Sequence, residues 1–373
     1  MKKIKLFYLL CSTALIFLSC NSNNEIIKIG TILPLSGDVA IYGKSIQNGM
    51  NLALDEYLKR NPNELKIEMI FEDSKADPKL AVNSFQKLSS IDKCKIVLGG
   101  FSSSEVLSIA PIAEKNKIVL ISPTASSPSI TEAGDYIFRT TPSDNFDGEI
   151  MAKFAYNELH LKNVAIIYAN NDYGQGISKV FISKFKNLGG EISIEKSFES
   201  GINDFKTQLI AIKETKLDGL YIIAAAEIGI ILKQESELNL RDIKTFTVGL
   251  VENPKVIEIA GEAANNVYYS YPSFQVNSDE NIVKDFVYKF KLKYNIEPDV
   301  LAAYGYDLMN ITLTVLKNNY ESSDKIRDAL YNLKNFNGVT GQTSFDLNGD
   351  VSKTAGIKII KKGKFEWYIN KFN

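Results

Sequence analysis

From Ile26 to about Tyr271, short apolar runs alternate with segments whose apolar residues recur at helical spacing, and the pattern is laid down twice. One half begins at Ile26 and the other at Val164. Strands are expected at 26–33, 66–72, 95–99, 118–121, 163–169, 190–198, 218–224, 244–249 and 266–271. Helices are expected at 43–60, 78–90, 103–116, 145–160, 175–188, 203–215, 227–239 and 253–262. Such βα alternation requires parallel sheets covered on both faces. The runs Val164–Tyr168 and Ile222–Ala226 are apolar without period-two alternation, as central parallel strands should be. Right-handed crossovers then give an α/β fold of two doubly wound lobes. Beyond Tyr271 the order changes to helices at 279–294, 299–317 and 323–334, followed by short strands at 344–347, 355–361 and 365–369.

A chain of 373 residues, 45% hydrophobic, can bury the cores of two such lobes. Its net charge of −1 and the lack of a basic stripe argue against nucleic acid as a partner. Lys2, Lys3 and Lys5 precede an apolar stretch, Leu6–Leu18, that is too short to span a bilayer. Residues 1–19 therefore read as an export signal. Leu18-Ser19-Cys20 resembles the processing site of bacterial lipoproteins. That resemblance implies lipid on Cys20, a polar tether over 20–25, and a protein exported and anchored to the cell-envelope membrane. Cys11 falls within the signal, so the mature fold keeps only Cys94 and can form no internal disulfide.

Enzymatic chemistry finds little support. His160 is the only histidine, which excludes a histidine-based triad and a multi-histidine metal site. No phosphate-cradling loop is present; Gly174-Gln175-Gly176 lacks the third glycine of a dinucleotide turn. Asp346-Leu347-Asn348-Gly349-Asp350 has part of a calcium-loop pattern without the downstream glutamate, and reads as a turn. What stands out instead is a pair of hydroxyl-rich turns at the ends of consecutive strands, Gly99-Gly100-Phe101-Ser102-Ser103-Ser104 and Ser122-Pro123-Thr124-Ala125-Ser126-Ser127. In open parallel sheets ligands bind beyond the carboxyl ends of strands. Free N–H groups at a helix start, beside hydroxyls, suit a carboxylate.

These turns resemble the ligand turns of the bacterial leucine/isoleucine/valine-binding proteins, the type I periplasmic solute-binding proteins of ABC importers. The resemblance extends over nearly all of 26–373 through Pro34-Leu35-Ser36-Gly37, Tyr42-Gly43, Glu72-Asp73, Asp77-Pro78, Phe138-Arg139-Thr140 and Asp172-Tyr173-Gly174-Gln175-Gly176. It implies two lobes, 26–144 plus 275–351 and 145–274 plus 352–373, joined by three chain crossings that act as a hinge. It further implies a small amino-acid-like ligand, an ABC permease as partner, and no cofactor or metal. Ser103 and Ser126 would hold a ligand carboxylate, the Thr124 carbonyl its ammonium, and Tyr42 and Tyr173 would wall the cleft. The acid that the family places after the strand Phe246-Thr247-Val248 falls here on Gly249, and a second-lobe aromatic falls on Ala224. Glu252 is the nearest replacement acid, with Glu227 and Asp144 behind it; otherwise the ligand is not an ordinary α-amino acid. A sensor that shows its closed form to a membrane receptor is the alternative reading.

Overall fold

The computed structural model describes residues 26–369 apart from Arg241, Ser273 and Thr354, so the signal, Cys20 and the tether lie outside the described residues. Strands β1 (Ile26–Leu33), β2 (Lys66–Asp73), β3 (Ile96–Gly99), β4 (Val119–Ser122) and β5 (Ile137–Arg139) form one parallel sheet in the order β2-β1-β3-β4-β5. Helices α1 (Ala40–Arg60), α2 (Pro78–Ser90) and α3 (Ser103–Asn116) connect the first four. Asp77 starts α2 by accepting the Leu80 N–H, with Pro78 in the first helical position, where a missing N–H costs nothing.

The second sheet repeats the plan. Helix α4 (Asp144–Lys153) leads into β6 (Asn163–Ala169), β7 (Glu191–Phe198), β8 (Gly219–Ile223), β9 (Lys244–Thr247) and β10 (Tyr268–Pro272), connected through α5 (Asp172–Asn187), α6 (Lys206–Lys213), α7 (Ile228–Glu237) and α8 (Pro254–Ala260). The order β7-β6-β8-β9-β10 copies the first sheet position for position. Beyond β10 the sheet turns antiparallel, because β13 (Ala355–Lys361) and β14 (Lys364–Ile369) return as a hairpin on its edge. The second sheet is therefore mixed.

Helices α9 (Asn281–Tyr294), α10 (Val300–Asn319) and α11 (Ser323–Asn332) return to the first sheet. Lys289 and Lys293 of α9 pair with Glu56 (2.8 Å) and Asp55 (2.6 Å) of α1. Helix α10 is apolar almost all round and buried along its length. It crosses α1 at two glycines: a Cβ on Gly49 would stand 1.9 Å from the Ala302 carbonyl oxygen, and one on Gly305 2.2 Å from that of Ile46. The chain thus passes between sheets three times, after β5, after β10 and before β13.

Three expectations need correction. Residues 137–139 form β5, which is too short to show a pattern of its own. Residues 344–347 form no strand; Asp346 instead accepts the Asn348 and Asp350 N–H groups (2.8 and 3.0 Å) in a turn. The short pair β11 (Phe336–Gly338) and β12 (Gly341–Thr343) precedes it. The helix expected over 145–160 changes after Lys153 into a π turn, Phe154–Glu158.

Candidate functional site

The carboxyl ends of both sheets face one cavity of about 910 Å³ between the lobes. The repeated strand order explains this, since each sheet has its switch point between its first and third strands. Ser103, Thr124, Ser126, Tyr42, Tyr173 and Glu252 all line that one cavity. Among the described residues, side-chain hydrogen bonds cross it at two places. The Asn253 amide donates to the Tyr42 hydroxyl (2.9 Å), and the Ser104 hydroxyl bonds the Asp172 carboxylate (2.6 Å).

Turn geometry explains how Ser103 becomes available. Gly99 and Gly100 both take positive φ (125° and 74°), and a Cβ on Gly99 would lie 2.0 Å from the Ile32 carbonyl oxygen. Only glycine fits so close to β1. Ser102, not Ser103, then caps α3. Its hydroxyl accepts the Glu105 N–H (3.2 Å), and the Glu105 carboxylate accepts the Ser102 N–H (2.7 Å), a capping box. Ser103 is thereby relieved of capping. Its oxygen accepts the Ser127 N–H (3.1 Å), which leaves its own proton free to donate. The first-turn N–H groups of Ser103 and Ser104 have no helical acceptor.

Ser122 is a residue that the sequence reading passed over. Its hydroxyl donates to the Gly100 carbonyl (2.8 Å) and accepts the Ala125 N–H (2.9 Å), tying the two turns together. Thr124 adds a second tie by donating to the Phe101 carbonyl (2.7 Å). Tyr42 is buried and stacks on Phe101 at 5.8 Å between centroids, 9° from parallel. Burial raises its pKa above the usual phenol value. Tyr173 is raised well above it by burial and then by the Asp144 and Asp147 charges.

Glu252, the acid expected to meet a ligand ammonium, has partners of its own within the protein. It faces the cavity, but its carboxylate is held by the Lys358 ammonium and accepts the Tyr269 hydroxyl (2.6 Å). Lys358 itself sits over the rings of Tyr271 (4.4 Å) and Trp367 (5.2 Å). A carboxylate already neutralised and hydrogen-bonded has little left for a ligand ammonium. Glu227 is also occupied, accepting the Gly201 N–H (2.9 Å) and that of Ala225 (3.3 Å). Asn253 went unnoticed as a site residue. Asn-Pro announces a helix start, and Asn253 does cap α8 through the Lys255 N–H (2.9 Å), but its reach to Tyr42 depends on how the lobes meet.

The profile of the periplasmic binding protein family matches residues 26–357. The leucine-, isoleucine-, valine-, threonine- and alanine-binding protein of Pseudomonas aeruginosa is 28% identical over 346 residues, 90% of each chain. Among solved structures, a branched-chain amino acid substrate-binding protein of Streptococcus pneumoniae in complex with isoleucine is 30% identical, with TM-score 0.84 over 92% of this chain and 98% of that one. A solute-binding protein of an ABC transporter from Rhodopseudomonas palustris, in complex with 3,4-dihydroxybenzoic acid, is 26% identical, with TM-score 0.81 over 93% and 96%. Two doubly wound lobes around one cleft define a type I periplasmic binding protein. This chain belongs to the periplasmic binding protein family, in its leucine/isoleucine/valine-binding branch.

Proposed function

We propose that this protein is the lipid-anchored substrate-binding component of an ABC importer, and that it captures an amino acid or similar small carboxylate by closing its lobes. The observation that carries this reading is the Ser103 hydroxyl, freed from capping and set with the α3 amide groups on the interlobe cavity. A carboxylate there meets charge-assisted donors and the positive end of a 14-residue helix. Ser126 adds a second hydroxyl, the Thr124 carbonyl an acceptor, and Tyr42 and Tyr173 an aromatic wall from each lobe. The moving units are 26–144 with 275–351 and 145–274 with 352–373. The closed form docks on a permease, and ATP hydrolysis takes place elsewhere. The relatives bound to isoleucine and to a dihydroxybenzoate support a small carboxylate as ligand.

A thermal-shift screen of amino acids and small aromatic acids tests this. A true ligand at 100 times its Kd should stabilise the protein by about 2.7 kcal/mol. A screen in which nothing stabilises the protein overturns the reading. With a ligand in hand, Ser126→Ala and Ser103→Ala should each weaken binding about tenfold or more, since a hydrogen bond to a charged group contributes roughly 1.5–3 kcal/mol. Calorimetric titration measures this. Ser103→Ala should also lower the stability of the empty protein by about 1 kcal/mol, because the Ser127 N–H loses its acceptor. Lipid on Cys20 should appear in the intact mass of membrane-extracted protein as a diacylglyceryl adduct on a chain that begins at that residue.

A further inference from the structure

With Glu252 neutralised by Lys358, the negative charge of the cleft lies elsewhere. Asp144 and Asp147 open α4 one turn apart, and both line the cavity. Acids in a first helical turn are ordinarily solvated residues that complement the helix dipole. Here Asp144 is 3% exposed, and its Oδ2 has no hydrogen-bond partner. The Ser126 hydroxyl lies against the other side of that carboxylate, and the Asp144 N–H is already committed to the Ser126 carbonyl (2.8 Å). Burial, then the Asp147 charge, pushes the Asp144 carboxyl up to about 8, while Ser126 and Arg139 pull it down. Burial likewise raises Asp147, with the Ser270 hydroxyl opposing. Tyr173 and Tyr221 face the pair from α5 and β8 and offer it no positive charge. Among the described residues no third ligating side chain joins the pair to make a metal cage. Gly249 and Ala224–Ala226 line the same cavity, and a Cβ on Gly249 would stand 3.1 Å from the carbonyl oxygen of Ser270, the residue beside Asp147.

Building on the proposed function, we propose that the ligand of this cleft is a net-positive amine, a basic amino acid or a diamine, whose ammonium docks between Asp144 and Asp147 at the start of α4. A neutral amino acid carries one ammonium for the two acids, whereas a basic amino acid or a diamine carries two.

Lysine and norleucine make the test, since they share a backbone and chain length and differ in the terminal ammonium. Calorimetric titration of the purified protein should show lysine or a straight-chain diamine binding at least tenfold more tightly than norleucine. Asp147→Asn should reduce lysine affinity tenfold or more, and Asp144→Asn/Asp147→Asn should abolish the preference over norleucine. Circular dichroism melts verify that the variants are folded. Norleucine binding as tightly as lysine, or a preference that survives both substitutions, overturns the proposal. So does binding of neutral amino acids or aromatic acids with no binding of any amine, an outcome that leaves the solute-binding reading standing. Failure of every amino acid, amine and aromatic acid alike removes both.

Discussion

Replacing Arg139 by methionine is expected to destabilise the protein by about 3–5 kcal/mol, the range for breaking a buried ion pair from one side. Arg139 is fully buried at the end of β5. Its Nε and Nη2 grip both oxygens of Asp350 at 2.6 and 2.7 Å, Nη1 donates to the Ser127 carbonyl (2.8 Å), and Nη2 also reaches the Thr131 hydroxyl (2.8 Å). Methionine fills much of the volume but leaves Asp350, 14% exposed, without its counter-charge. Urea denaturation should show a lower midpoint with an unchanged m-value. Arg139→Met with Asp350→Leu should recover a large part of the loss, since replacing both partners of a buried pair is often nearly neutral. A single variant within about 0.5 kcal/mol of wild type would show that the pair contributes little. Binding should weaken as well, because the guanidinium also holds the turn that carries Ser126.

The second large effect is expected at the crossing of α1 and α10. Gly305→Val places a branched side chain where even a Cβ would stand 2.2 Å from the Ile46 carbonyl oxygen. Backbone, unlike a flexible side chain, cannot step aside. Overpacking costs about 1–3 kcal/mol and sometimes more, and this site belongs at the upper end. Helix α1 carries Tyr42 and its stacking on Phe101 into the cleft. Displacing the helix should therefore lower ligand affinity together with Tm. A variant with an unchanged melting curve would mean that the helices have slack. Gly49→Val should behave alike, since the two glycines serve one crossing.

The framework of both lobes is legible in the sequence because central parallel strands are continuous apolar runs, and capping residues mark helix starts. Helices over 78–90 and 103–116 match the observed bounds. The parallel ladder β1–β4 matches within a residue at each end. The antiparallel edge at β13 and β14 shows no local sign of its direction, because pairing sense is decided by where the chain returns. Strand β5 has three residues, and no periodicity can be read from three. The site follows the same rule. Ser126 sits in a turn, and Tyr42, Ser103 and Tyr173 in the first turns of α1, α3 and α5, where local residues mark the helix starts; all four line the one cavity. That Glu252 is paired could not be read from the sequence, because its partner, Lys358, comes from a strand far along the chain. The Asn253–Tyr42 contact is likewise a property of two lobes in register, which neither segment alone encodes.

That contact and its companion, Ser104 to Asp172, tie the two walls of the cleft together among the described residues. A hydrogen bond of this kind contributes a net 0.5–1.5 kcal/mol or so. Against them stands a carboxyl buried without a partner on one oxygen. The two hydrogen bonds together hold the walls by only about 1–3 kcal/mol. A ligand that bridges both walls therefore has to add only a few kcal/mol to outweigh these contacts. On the proposed function, a ligand joining both walls would turn occupancy into a change of the protein's outline.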